Sequence, residues 1–88
     1  MQNNKHFVYI LLTEKNTFYC GYTNNVERRF QKHLDGKGAK YTRANKPIKV
    51  VWTKEYNSKS EALKDEIKIK KLSHYQKEIL ITNNLSID

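Results

Sequence analysis

The spacing of apolar positions changes several times along the chain, and each change marks an element. Phe7 to Leu12 is an unbroken apolar run rich in β-formers, which predicts a buried strand. Alternation puts Phe7, Tyr9 and Leu11 on one face and Val8, Ile10 and Leu12 on the other. Glu14 to Asn16 has turn chemistry, and Thr17 to Tyr22 is a second strand-forming run. The two runs predict an antiparallel hairpin. In the second strand Thr17, Tyr19 and Gly21 share a face, as do Phe18, Cys20 and Tyr22. A glycine at a strand end signals a bulge or the close approach of another group.

The period then lengthens. Val26, Phe30 and Leu34 recur every fourth residue, the stripe of a helix running to about Leu34. Asn24 followed by Glu27 predicts its capping box, and Gly36 its stop. Asp35 to Asn45 reads as a loop, or a loop with a short helical turn. Ile48 to Tyr56, after Pro47, reads as a third strand. Ser58 with Glu61 predicts a second capping box and a helix over roughly Lys59 to Lys71. Ser73 is placed as the cap of a last helix, His74 to about Asn83, ended by Asn83 and Asn84. Residues 1 to 5 read as a frayed end. The order β-β-α-β-α-α predicts an α+β fold: a small three-stranded antiparallel sheet flanked by helices.

Helical geometry singles out three polar residues. At about 100° per residue, Arg29 and His33 fall on one flank of the first helix's apolar stripe, one turn apart. Arg28 points nearly the opposite way. On the later helix, with Ala62 set at zero, Leu63 lies near about 100°, Ile67 near about 140° and Ile69 near about −20°. Glu66, near about 40°, falls inside that apolar arc. An unpaired buried carboxylate is costly, so Glu66 requires a cation, a hydrogen-bond donor or a metal. Lys70, one turn on, and Arg29 are the two candidate cations. A structural ion pair with Glu27 or Glu66 is likewise the plain alternative for Arg29.

Composition narrows the function. The chain has 88 residues, enough for one domain over residues 1–88 with a core of about 6–82 and little left for a second lobe. Its 17 Lys and Arg against 9 Asp and Glu give a net charge of +8, which favours a polyanionic partner, nucleic acid before others. Lys37, Lys40 and Arg43 in the glycine-bearing loop are candidate phosphate contacts or solvated charges, and Tyr41 a packing residue or a base-stacking one. Cys20 is the only cysteine, which excludes an internal disulfide; it has no metal partner at a known spacing and reads as a small core residue. With no long apolar run, no membrane span is expected and the chain reads as cytoplasmic.

The residues now on the page resemble a GIY-YIG nuclease domain. Val8-Tyr9 stands for the first motif and Tyr19-Cys20-Gly21 for the second. Arg29 follows Gly21 by eight residues, His33 follows Arg29 by four, and Glu66 lies in EALKDEIKIKKL. The small bacterial stand-alone members are most similar, with the pattern YxGYTxxxERRxxxH, then GAKYT, then SEALKxE. The likeness covers nearly the whole chain.

The resemblance implies metal-dependent hydrolysis of DNA phosphodiester bonds, with RNA a further candidate substrate and a role in DNA repair or processing. It implies that Tyr19 lies beside the attacking water as base or base relay, and that Tyr9 positions water or the scissile phosphate. Arg29 is expected on the phosphate in the transition state, and His33 at the phosphate or in proton transfer. Glu66 is expected to bind a single divalent cation, magnesium or another such as manganese. The sequence departs from the family pattern at Phe7, which replaces the first-motif glycine, and at Tyr22, where some relatives carry a lysine. A late asparagine of the family corresponds to Asn83 or Asn84. A protein partner supplying specificity is also expected. A nucleic-acid-binding module of the same fold with weak or no cleavage is the alternative, and a basic protein-interaction domain a third reading.

Overall fold

Strand β1 (His6–Thr13) carries apolar residues on both faces because it is the middle strand. In the computed structural model, which describes residues 5–86, β1 is flanked by β2 (Phe18–Thr23) and β3 (Pro47–Tyr56). The order is β2-β1-β3, and both pairings are antiparallel. Both faces of β1 are covered, so Val8, Ile10 and Leu11 are fully buried. The frayed end read from residues 1–5 falls, for residues 1–4, outside the described residues.

The predicted hairpin forms. Thr13 and Thr17 close it through a 2.9 Å backbone bond, and Asn16 takes the left-handed conformation (φ 60°) that asparagine tolerates well. The second strand starts at Phe18, one residue later than predicted. Thr17 is used in the turn, where its hydroxyl lies 2.7 Å from that of Thr13. Strand β3 pairs with the other edge of β1, opposing Trp52 to Ile10 and then Val50 to Leu11, so the ladder bulges there.

Helix α1 (Val26–Leu34) starts one residue later than predicted. Asn25, not Asn24, is the N-cap, and its side chain accepts from the Arg28 N–H at 3.0 Å. Thr23 is the reason. Its hydroxyl binds both the N–H and the carbonyl of Asn25 and holds one more residue outside the helix. Glu27 therefore sits one position short of the place where a capping box would close. At the other end Gly36 (φ 75°) completes a Schellman motif, with Gly36 N–H on His33 O and Lys37 N–H on Lys32 O.

The predicted loop contains a short helix, α2 (Lys40–Ala44). Helix α3 (Lys59–Lys70) is capped by Ser58, which accepts from Glu61 N–H. Helix α4 (His74–Ser86) opens on a reciprocal box between Ser73 and Gln76. It continues through Asn83 because asparagine costs a helix little and no glycine or proline follows. The Asn84 side chain lies outside the described residues.

One sheet face, with Val8, Ile10, Cys20 and Trp52, packs against Ala62 and Ile69 of α3, and Leu72, Leu80 and Ile81 border that core. Ile67, predicted within the buried arc, is 55% exposed. The contact is made through Ala62, whose small side chain lets α3 approach the sheet, and the buried arc is narrower than expected. Tyr56 donates to Asp65 at 2.6 Å and fixes the rotation of α3 on β3. The opposite sheet face carries Tyr9 and Leu11 and meets α1.

Candidate active site

Tyr9 is the residue around which the second face is built. It pairs with Gly21 across the β1–β2 ladder. A Cβ at Gly21 would lie 2.5 Å from the Tyr9 hydroxyl oxygen, so glycine is what lets the phenol lie across β2. The Tyr9 hydroxyl is 2.9 Å from His33 Nε2. His33 Nδ1 is in turn 2.7 Å from the Thr42 hydroxyl, which donates to the Ala39 carbonyl at 3.0 Å. Gly38 makes the same allowance on the other side, because a Cβ there would overlap the His33 ring at Nδ1.

Tyr9, His33 and Thr42 are each about 2% exposed. The sequence pattern placed His33 on the flank of the α1 stripe. The structure puts it at the centre of the buried face and leaves Leu34 at the rim, 37% exposed. The physical reason lies across the interface: α1 faces a phenol that needs a polar partner, and an imidazole satisfies it.

Tyr19, half-buried, forms the outer wall. Its ring meets His33 edge-on at 5.2 Å between centroids and stacks on Tyr41 of α2 at 6.1 Å, with 20° between the planes. Tyr9 lies 6.3 Å from it. Tyr41 is 40% exposed, and its hydroxyl donates to Thr17 at 2.7 Å. That bond ties α2 to the hairpin and holds one aromatic against the other.

Arg29 stands one turn before His33 and is exposed. Among the described residues its side chain makes no ion pair or hydrogen bond, so the structural pairing with Glu27 or Glu66 is not formed. Its charge nonetheless acts on Tyr9, Tyr19 and His33. Glu66 lies at the edge of the α3 packing arc, with a side chain 15% exposed, and Lys70 sits 3.4 Å from its Oε2. Its field reaches Tyr19 and Tyr9. Tyr9, Tyr19 and His33 are therefore in contact, and Arg29 and Glu66 are coupled to them by charge.

Burial sets the protonation states. It raises both Tyr9 and Tyr19, with the Glu66 carboxylate adding to the rise and Arg29 opposing it; at Tyr19 Lys70 opposes it as well. Burial lowers His33, and Arg29 lowers it further. The cluster thus holds two neutral phenols and a neutral imidazole. Cys20, on the other sheet face, is pushed up to about 12 by burial and stays a core thiol.

Two concavities adjoin the cluster. One of about 160 Å³ is lined by Thr23, Asn24, Arg28, Arg29 and Lys32. The other, about 340 Å³, is lined by Phe18, Tyr19, Cys20, Tyr41, Lys70 and Lys77. A larger hollow of about 460 Å³ lies elsewhere, beside Leu12, Val50 and Ile81, and its one carboxylate, Glu78, is paired with His74. Lys37, Lys40 and Arg43 are exposed, and none contributes to the field at Tyr9, Tyr19 or His33. Thr42, Gly38 and Thr17 went unassigned in the sequence. The signal for the first two was the string GAKYT, where a glycine marks close approach and a hydroxyl follows within a turn.

A three-stranded antiparallel sheet with a buried Tyr9–His33 cluster on one face and an apolar core on the other defines an α+β domain. The GIY-YIG catalytic domain model matches residues 5–78, and the chain belongs to that family. It is 47% identical to the UPF0213 protein OB0043 of Oceanobacillus iheyensis over 79 residues, covering 90% of this chain and 92% of that one. It is 40% identical to the UPF0213 protein YazA of Bacillus subtilis over 81 residues, covering 92% and 82%. Two solution NMR structures are similar. The protein EF2693 of E. faecalis gives a TM-score of 0.63 at 41% identity, covering 97% of this chain and 93% of that one. The UPF0213 protein BH0048 of Bacillus halodurans gives 0.58 at 46%, covering 89% and 83%. Among the described residues no helix is long and apolar enough to cross a membrane.

Proposed function

We propose that the protein hydrolyses DNA phosphodiester bonds with one divalent cation, magnesium or manganese, held at Glu66. The observation that carries this reading is the Arg29 guanidinium, which pairs with no carboxylate among the described residues and whose charge reaches Tyr9, Tyr19 and His33. Attack on a phosphodiester builds negative charge on the non-bridging oxygens, and a guanidinium matches two of them with paired N–H donors. Arg29 is the group we assign to that task. Tyr19, half-buried and exposed to the fields of Arg29, Lys70 and Glu66, is assigned to the attacking water. It is a neutral phenol at neutral pH, so it acts as a hydrogen-bond partner and relay and not as a resident phenolate. Tyr9 and His33 stand behind it and orient it.

The donor set fits magnesium. That ion takes oxygen ligands and is commonly held by one or two carboxylates, with water and phosphate oxygens filling the shell. Among the described residues no group of three or more metal-ligating side chains forms, so Glu66 alone would hold it. The carboxylate is partly exposed, and among the described residues its only charged partner is Lys70. When bound, such a cation supplies positive charge against the scissile phosphate. The substrate carries its own negative charge to a surface of net charge +8. We assign Lys37, Lys40 and Arg43 to its backbone and the exposed edge of Tyr41 to a base, with RNA as a second substrate to be tried. A soluble cytoplasmic role in DNA repair or processing, with a protein partner for specificity, fits this chemistry.

A second reading has its own support. Lys70 at Glu66 and the raised Tyr19 both suit a nucleic-acid-binding module with weak or no cleavage. Labelled single-stranded, duplex and branched DNA, each incubated with Mg²⁺ or with EDTA, separates the two. Cleavage that needs Mg²⁺ and is lost in Glu66→Ala and Arg29→Ala supports hydrolysis. Binding without cleavage of any substrate selects the module.

A further inference from the structure

The hydrogen-bond chain behind Tyr9 has a direction. The Thr42 hydroxyl has one proton, and the Ala39 carbonyl 3.0 Å away can only accept it, as it also accepts the backbone N–H groups of Thr42 and Arg43. With that proton on Ala39, Thr42 is an acceptor toward His33, and the Nδ1 that lies 2.7 Å away carries a proton. A neutral imidazole has one N–H, so Nε2 is bare and accepts from the Tyr9 hydroxyl at 2.9 Å. The chain runs Tyr9 O–H to Nε2, Nδ1–H to Thr42, and Thr42 O–H to Ala39. Its far end is a backbone carbonyl, which cannot reverse. The two glycines hold the ends of the ring in place: Gly21 beneath the phenol and Gly38 against Nδ1.

We propose that Thr42 is a positioning residue that locks His33 in the Nδ1–H tautomer and so commits the Tyr9 proton inward. The Tyr9 oxygen is then left with lone pairs only, and toward the site it acts as an acceptor. This rests on the hydrolytic reading above for its consequence: an acceptor at Tyr9 suits a water that must give up a proton, and a donor would oppose it. The lock itself is independent of whether the protein cleaves anything. The groups that face the imidazole are Tyr9 from β1, Tyr19 from β2, Arg29 from its own helix and Thr42 from α2.

Removing the hydroxyl without changing the shape, by Thr42→Val, leaves Nδ1 without an acceptor. The favoured tautomer then becomes Nε2–H, donating to Tyr9 and turning the phenolic proton outward. Thr42→Ser restores the hydroxyl. The imidazole nitrogens of ¹⁵N-histidine-labelled protein, followed by long-range ¹H–¹⁵N correlation at about pH 7.5, read the tautomer directly. The bare nitrogen resonates far downfield of the protonated one. The expected result is a bare Nε2 at His33 in the wild type and in Thr42→Ser, and a bare Nδ1 in Thr42→Val. In the cleavage assay Thr42→Val lowers kcat about tenfold or more while KM holds, and Thr42→Ser recovers most of it. A bare Nδ1 in the wild type, or an unchanged tautomer in a folded Thr42→Val, overturns the lock. Wild-type protein that shows the expected tautomers but cleaves no DNA would defeat the hydrolytic reading and leave the lock standing.

Discussion

At the scale of single residues, the site depends on two side chains that are missing. Gly21 and Gly38 each leave the volume that a ring of the Tyr9–His33 pair fills. Neither has the positive φ that would demand glycine for its backbone. Gly21→Ala is therefore a packing change: its Cβ meets the phenol at 2.5 Å and pushes the Tyr9 hydroxyl off His33. Overpacking of this kind costs about 1–3 kcal/mol, which urea denaturation would register as a lower midpoint at an unchanged slope. His33 gives a second expectation at this scale. Its folded pKa is lowered, so between that value and the ordinary histidine value of about 6.5 the unfolded chain binds more protons. Its contribution to stability is complete above the unfolded value and is lost as pH falls toward the folded one. Melting temperatures should drop between about pH 7.5 and about pH 5.5, and drop less in His33→Gln. A fall of equal size in both proteins would show that His33 does not titrate as described.

At the scale of elements, the helix starts test the local reading most finely. Asn25 caps α1 because the Thr23 hydroxyl turns the chain once before the helix begins. Asn25→Ala should cost about 1 kcal/mol and Asn24→Ala only a few tenths, measured as paired denaturation curves. The reverse order would restore the earlier start. Most elements were legible because each carries a local signal: apolar runs about a turn for the hairpin, capping serines at Ser58 and Ser73, and glycine at the Gly36 stop. The α1 cap failed locally, on a threonine two residues before Asn25, whereas the other failures share one cause, that a side chain's partner lies far along the chain. Asn24 and Asn25 look alike until Thr23 is seen to fold back. The α1 stripe predicted Leu34 inside and His33 at the edge, because nothing local tells that Tyr9 waits across the interface. The Glu66 arc was drawn too wide for the same reason, since the depth of Ala62 against the sheet is a tertiary fact. The helix angle separates Arg29 from Arg28, and Arg29 is the one whose charge reaches Tyr9, Tyr19 and His33. Thr42 was not legible, because a hydroxyl's partner cannot be read from its spacing.

At the scale of the whole molecule, one sheet serves two purposes. Its α3–α4 face is an apolar core that holds the fold together, and its α1 face is a polar cluster whose members satisfy one another. The chain carries a net charge of +8, and its surface leaves Arg29 without an ion pair among the described residues and Lys37, Lys40 and Arg43 exposed for a polyanion. In the proposed hydrolysis, Arg29 and Glu66 turn this surface from a binding face into a hydrolytic one. The most direct test is the initial rate of cleavage of end-labelled DNA at saturating Mg²⁺ for the wild type, Arg29→Ala and Glu66→Ala, with folding checked by circular dichroism. The account predicts Mg²⁺-dependent cleavage that falls by about 10²–10³-fold in Arg29→Ala and to background in Glu66→Ala. Cleavage at wild-type rate in either folded variant would contradict it.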